Sequence, residues 1–451
     1  MDASIKKEPM FSRQALISLT IPIILEAVLS IMAGTVDTVM VSGLGEASVS
    51  AVSLVDSIAI ILVYFFAAMT YGGVVVTAQY IGRGDTENAN KSGRQLFYLS
   101  VFVSIILSFG IMPFMSAVID FIYPGLEPIV FEYAKTYLFW ILLGLPFFAM
   151  GNAACSLLRA QAISKPVMYL TVGINIVNII GNAILIYWLD MGIMGAAIST
   201  SFSRVVYGVG GMIMIHNRSL KVHFSKILKI RLDFSMLKNI FIIGGANGLE
   251  NSLFFSGKLI LSSFVSSLGT VYIAAHAVSN QLCNMGWTTI GAFSSTLLTV
   301  VGQCMGAGEK EQARGYLVKI EKVATIFVLV IFGLIFLLRN QLVLLFGFDE
   351  SALELSAYYT GVGALVTICS VYSWSFAPLS AFRAAGDTVY ALTVSISSMF
   401  IFRVALALVL GIYFHMGLMA IWIGNFADWG FRSVVNFIHF KRGKWLLKKV
   451  I

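Results

Sequence analysis

Glu26, Asp37, Arg204, Glu250, Lys258, Arg403, Asp428 and Arg432 are candidate ionisable side chains inside otherwise apolar stretches of this sequence. A charge held in hydrocarbon costs several kcal/mol, so each of them asks for a partner or a role. Asp37 follows Glu26 by eleven residues, which on a helix puts the two within about 20° of one face and about 16 Å apart. An acidic face on a spanning helix fits a path for a proton or another cation. The simpler reading makes Asp37 a partly solvated residue near a helix end. Further along, Asn175, Asn178 and Asn182 form one stripe at helical spacing. Carboxamide oxygens are good ligands for a partly dehydrated Na⁺, and amides also join membrane helices to one another. Facing Asp37, the stripe would make a carboxylate-plus-amide pocket, to which Thr200 adds a hydroxyl.

The remaining charges read differently. Asp428 and Arg432 are one helical turn apart and are expected to pair with each other. Glu250 and Lys258 share a run two turns apart. Glu26 and Glu250 are expected to line a substrate cleft and to attract an organic cation. No pattern supports an enzyme. Gly82-Arg83-Gly84-Asp85 matches a string found in some intramembrane proteases, but it ends an apolar run, recurs as Gly306-Ala307-Gly308-Glu309, and has no second aspartate motif beside it. The five histidines show no ligand spacing, and no phosphate-binding Walker string is present. Any uphill work must therefore draw on an ion gradient.

The elements that position these groups are membrane helices. Of 451 residues 58% are hydrophobic and only 12% charged, about half the charge of a soluble domain. Twelve apolar runs fall near 16–41, 51–80, 95–119, 133–157, 166–189, 192–215, 239–265, 271–303, 317–346, 355–382, 388–412 and 416–440, each long enough to span a bilayer. With the N-terminus inside, 24 of the 30 Lys and Arg fall on the inner side and two, Lys135 and Arg339, on the outer side. That asymmetry predicts an even number of spans and cytoplasmic termini. It also accounts for the net charge of +8 without a nucleic-acid partner. Cys155, Cys283, Cys304 and Cys369 have no metal spacing and read as small core residues.

The chain repeats itself. A displacement of 224 residues carries Val41-Ser42-Gly43-Leu44-Gly45 onto Val265-Ser266-Ser267-Leu268-Gly269, Arg159-Ala160 onto Arg383-Ala384, and Glu26 onto Glu250. A displacement of 225 carries Met191-Gly192 onto Met416-Gly417. Residues 1–215 form the first lobe, 216–238 a basic cytoplasmic connector, and 239–451 the second lobe. The expected fold is all-α and polytopic, with 12 transmembrane helices in two six-helix bundles. Both halves have an even number of spans, so the repeat is parallel, about an axis along the membrane normal.

Pro22 and Val36-Asp37-Thr38, Gly43-Leu44-Gly45, Ala78-Gln79 with Gly82-Arg83-Gly84-Asp85, Leu158-Arg159-Ala160, Leu268-Gly269-Thr270 and Phe382-Arg383-Ala384-Ala385-Gly386-Asp387-Thr388 together resemble the MATE (multidrug and toxic compound extrusion) family. The resemblance covers almost the whole chain. It implies a secondary antiporter that exports lipophilic organic cations in exchange for H⁺ or Na⁺, in the plasma (inner) membrane, as a monomer with no other cofactor. It also implies a first-lobe coupling site at Asp37, Asn178, Asn182 and Thr200, with Asn175 beside it and Asp37 and Asn178 as the Na⁺ ligands. Many members carry an Asp where this chain has Asn182, and its absence weakens the Na⁺ assignment. One branch places a second-lobe ion site at a Glu and an Asp, where this chain has Phe254 and Tyr372. The alternative within the same superfamily, a lipid-linked oligosaccharide flippase, needs a cationic cleft, and the four in-span bases are here matched by four acids. A membrane protein without transport activity is the lower alternative.

Overall fold

Long apolar runs punctuated by Gly and Pro fold as helices, because only a helix or a closed barrel satisfies every backbone hydrogen bond in lipid. The computed structural model describes residues 8–224, 232–346, 349–448 and 450, with no strand among them. Six of the 24 basic residues expected on the inner side, Lys6, Lys7, Lys226, Lys229, Arg231 and Lys449, lie outside this range.

The first half runs α1 (Arg13–Ser42), α2 (Glu46–Arg83), α3 (Thr86–Ile122), α4 (Pro128–Ala160), α5 (Lys165–Trp188) and α6 (Gly192–Ile215). The second runs α7 (Phe234–Ser266), α8 (Thr270–Gly306), α9 (Lys310–Phe346), α10 (Glu350–Cys369, then Tyr372–Ala384), α11 (Thr388–Ile412) and α12 (Met419–Arg442). Among the described residues nine helices are both long and apolar enough to cross a membrane. The other three, α7, α8 and α12, have 33, 37 and 24 residues and carry more polar side chains.

The polar content of α12 has a structural use. The tenth span breaks at Val371, whose φ of 51° lies in the left-handed region, where a β-branched residue is strained. The backbone carbonyls freed there need donors. Ser433 of α12 donates to Ser370 O at 2.7 Å and Val371 O at 3.0 Å, and Asn436 donates to Trp374 O at 3.0 Å.

Two compact units emerge. One comprises Ile17–Gly248, and the other begins at Leu249 and includes the segment before Ile17. Each half's first helix therefore starts within the other unit. Ahead of α1, Phe11 N donates to the Tyr316 hydroxyl at 2.8 Å, and that hydroxyl donates to Phe11 O at 2.9 Å. Ahead of α7, Asp233 binds Lys91 of α3 at 2.5 Å and accepts from Met236 N at 3.1 Å, capping the helix. The Lys91 ammonium and the Met236 amide hold the Asp233 carboxyl below the usual carboxylate range.

In the Ile17–Gly248 unit, α4 is the central helix and packs against α2, α3 and α6. Where the start of α7 crosses α2, small residues allow the backbones to meet, as membrane helices require in the absence of a hydrophobic drive. A Cβ on Gly72 would lie 2.2 Å from Ile240 O, and one on Gly244 would lie 2.6 Å from Ala68 O. The first helix packs differently. It buries only Leu19, Pro22, Ile23 and Val41.

Gly72→Ala should lower the melting temperature in detergent, by overpacking worth about 1–3 kcal/mol. Gly245→Ala, where a Cβ meets nothing within 4 Å, should not. Because the Asp233 carboxyl is depressed, its stabilisation is present at neutral pH and lost as pH falls through its folded value. Wild type should melt above Asp233→Asn at pH 7, and the gap should close below pH about 4.

Candidate functional site

Glu26, Asp37 and the Met40 carbonyl of α1 each accept hydrogen bonds from the helices beside it. Arg159 at the end of α4 donates to Glu26 at 2.5 Å, and Thr171 of α5 donates to the same oxygen at 3.0 Å. Asn182 of α5 donates from Nδ2 to Asp37 Oδ1 at 2.5 Å. Tyr187 donates to Met40 O at 2.9 Å.

Around Asp37 the structure brings together most of the residues expected there. Asn182 is fully buried, and its Oδ1 has no hydrogen-bond partner. It is the last α-helical residue before a π-helical turn, Ala183–Trp188, and such turns recur at functional sites. Asn178 donates to the Thr200 hydroxyl at 3.3 Å, while its own backbone carbonyl accepts from Ser199 at 2.8 Å. Asn175 is not joined to them, and its Nδ2 is buried without a partner.

Two further residues belong to this neighbourhood. Asp56 of α2 lies within electrostatic reach of both Asp37 and Arg204. Tyr137 of α4 lies beside Thr200 and within electrostatic reach of Asp37 and Asp56. Asp56 satisfies the criterion that picked out Asp37, an acid inside an apolar run, and could have been found by it. Tyr137 carries no such signal. Arg204 donates to Ile141 O at 3.0 Å and stands 5.6 Å from the Phe148 ring centre. Two carboxylates and one guanidinium leave this pocket with one negative charge when all are ionised. The donor set for an ion is mixed. Asp37, the unpartnered Asn182 Oδ1 and the Asn178 carboxamide supply oxygens of the type that accept Na⁺ or a proton, but no cluster of three or more His, Cys, Asp or Glu occurs among the described residues.

Glu26 and Glu250 do not stand free to attract a cation. Glu26 is held by Arg159 in one unit, and Glu250 by Arg383 in the other. Arg159 and Arg383, assigned from sequence to inner loops, are turned into the helix bundles by these acids. The two pairs span the same 133 residues, so the repeat has preserved an entire ion pair. A partly buried charge demands its partner, which explains why both members persist in both halves. Asp428 pairs with Arg432 at 2.8 Å as expected, and also with Arg403 at 3.1 Å. Glu321 of α9, not singled out from sequence because Lys319 and Lys322 flank it, is fully buried; its backbone carbonyl accepts from Thr325, which in turn bonds Ser373.

Removing one partner strands the other. Arg159→Met should cost about 3 kcal/mol of stability, read as a lower melting temperature, and Glu26→Gln added to it should recover most of that loss. Arg383→Met and Glu250→Gln should behave in the same way.

Comparison with known proteins agrees with this architecture. A family model described as MatE matches residues 22–184 and again 247–409, both ends displaced by 225 residues, so the halves are parallel repeats of one six-helix unit. A probable multidrug resistance protein NorM of Thermotoga maritima is 27% identical over 99% of this chain and 96% of its own length. YisQ of Bacillus subtilis, described as an uncharacterized transporter, is 24% identical over 98% and 97%. A solved outward-facing structure of a multidrug resistance MATE transporter superposes with a TM-score of 0.89 over 96% of both chains at 21% identity, a likeness of fold. The chain belongs to the MatE family of membrane transporters, and it is not an enzyme.

Proposed function

We propose that the protein exports lipophilic organic cations from the cell in exchange for protons, with Asp37 as the coupling group. The hydrogen bond between Asp37 and Asn182 carries the reading. With Asp37 ionised, the amide donates to the carboxylate. With Asp37 protonated, the carboxyl O–H becomes the donor, and the amide turned over offers its oxygen, which now has no donor of its own. An asparagine satisfies both protonation states, whereas an aspartate at position 182 would bring a second charge better suited to Na⁺.

Protonation also changes what holds α1. A hydrogen bond to a carboxylate is about twice as strong as its neutral counterpart. The helix buries few apolar residues, so losing that charge loosens the segment beyond Pro22, where the helix lacks one backbone donor. An organic cation and a proton then compete for Asp37 and its neighbour Asp56. Relatives named for multidrug resistance support this substrate class. The family and the apolar composition support a plasma-membrane location, and the asymmetry of the basic loops supports cytoplasmic termini. Residues 1–215 and 239–451 serve as the two lobes, joined by the 216–238 connector, in a protein that works as a monomer.

In proteoliposomes, a pH gradient should drive ethidium efflux and a Na⁺ gradient at uniform pH should not. Asp37→Asn should cut efflux more than tenfold with the protein still in the membrane, and Asn182→Leu should approach the same loss. Unchanged efflux in Asp37→Asn would remove Asp37 from the mechanism.

A further inference from the structure

Glu321 of α9 is fully withdrawn from solvent, yet among the described residues it has no base within ion-pair distance, and neither oxygen of its carboxyl has a hydrogen-bond partner. Other acids inside the bundles are placed differently. Glu26, Glu250 and Asp428 each meet a guanidinium, and Asp387 meets His439 and Lys448. Lys319 and Lys322, beside Glu321 in the chain, are exposed, and Lys319 stands 5.6 Å from the centre of the Tyr316 ring. On α8 and α10, which pack against α9, the ionisable groups are engaged elsewhere. Arg383 holds Glu250, Tyr372 faces Arg403, Arg432 and Asp428, Cys304 faces Glu309, and His276 faces Lys258. The polar neighbour of the Glu321 carboxyl is the Ser373 hydroxyl.

The protons on two hydroxyls decide which form of the carboxyl fits. Thr325 gives its one hydroxyl proton to Glu321 O at 2.9 Å. The hydroxyls of Thr325 and Ser373 meet at 2.9 Å, so Ser373 is the donor in that contact. Ser373 then has lone pairs left and no proton. A carboxyl beside it joins the chain only by donating, which requires the neutral acid. A carboxylate here would be buried without a donor, and such a group takes up a proton instead.

The anion has a place as well. Ser373 lies in the first turn of the helix that restarts at Tyr372 after the break at Val371. Amides of a first turn have no acceptor in their own helix, and the helix dipole favours negative charge there. Once the carboxyl has given its proton to water, Ser373 can turn its hydroxyl to the carboxylate, and Thr325 can donate to Ser373. Rotating two hydroxyls thus satisfies both states. A metal cation fits less well, because the carbonyls freed at the break already accept from Ser433 and Asn436.

The bland explanation is a neutral acid that only fills space. The repeat argues against it. Displacements of 224 and 225 residues put Phe97 and Leu96 of the first half at the place of Glu321, and both are buried. Packing at this point of the fold therefore calls for no acid.

We propose that Glu321, Ser373 and Thr325 form a proton-binding site in the second half. The carboxyl holds one exchangeable proton at neutral pH, and the first turn of the helix beginning at Tyr372 receives the carboxylate when that proton leaves. The site stands on its own residues and does not rest on the role given to Asp37.

The test is infrared spectroscopy of the full-length protein in phosphatidylcholine nanodiscs at neutral pH. The spectrum of wild type minus that of Glu321→Gln should contain the C=O stretch of a neutral carboxylic acid. The band should persist in Asp37→Asn, so a failure of the Asp37 coupling would leave it standing. It should move to lower frequency in heavy water as the O–H exchanges, and to higher frequency in Ser373→Ala as the carboxyl loses its acceptor. Alkaline buffer should replace it reversibly with carboxylate bands. Labelling the glutamate carboxyls of wild type with heavy carbon should lower the same band, which keeps the test open if Glu321→Gln folds poorly. Loss of carboxylate bands alone in Glu321→Gln would overturn the proposal. So would a neutral band that neither exchanges in heavy water nor titrates, or the absence of any label-sensitive neutral band in wild type.

Discussion

An ionised side chain inside a membrane bundle needs a counter-charge within hydrogen-bonding distance, and this requirement organises the whole molecule. It explains why Glu26 with Arg159 and Glu250 with Arg383 survive as whole pairs in both halves of the repeat. It explains why Asp428 attracts two guanidinium groups rather than one. Once these pairs are set aside, little charge is left over. The first half keeps Asp37 and Asp56 against Arg204, and the second keeps the fully buried Glu321.

The first helix shows how that requirement becomes a mechanism. Hydrophobic burial holds most helices in place, but lipid tails are as apolar as the side chains of α1, so packing alone gives it little preference for one position. Among its polar contacts, Glu26, Asp37 and the Met40 carbonyl bind it to neighbouring helices. The first and last of these do not respond to a proton at Asp37, and the middle one does. A helix tethered by one titratable contact between two fixed ones can change shape locally while staying in its bundle. The start of α1 is anchored in the other compact unit through Phe11 and Tyr316, so such a change has a covalent route out of its own bundle.

The duplicated chain has kept the Glu26–Arg159 and Glu250–Arg383 pairs while its two fifth helices have diverged. Both halves have a π-helical turn in the fifth helix of the repeat, at Ala183–Trp188 and Met399–Ala405. The first follows Asn182 and the second contains Arg403. One local backbone device thus presents an amide to an acid in one half and a guanidinium to an aromatic cluster in the other.

The sequence by itself determined the solvent, the span count, the repeat and the family resemblance. These are written in long-range sums, such as hydropathy over twenty residues or one displacement held over a hundred, and such sums survive without coordinates. It also marked Asp37 and Asn182, because an acid on one helix and an amide stripe on another stand out against apolar neighbours. Only the tertiary structure decided which charges meet. Glu26 and Arg159 are 133 residues apart, and no local spacing indicates that a loop-like arginine turns inward to reach a helix in the same bundle. Tyr137 became visible for the same reason. Pairing in a low-dielectric interior depends on distances of a few ångströms between helices, and that information is absent from any single helix.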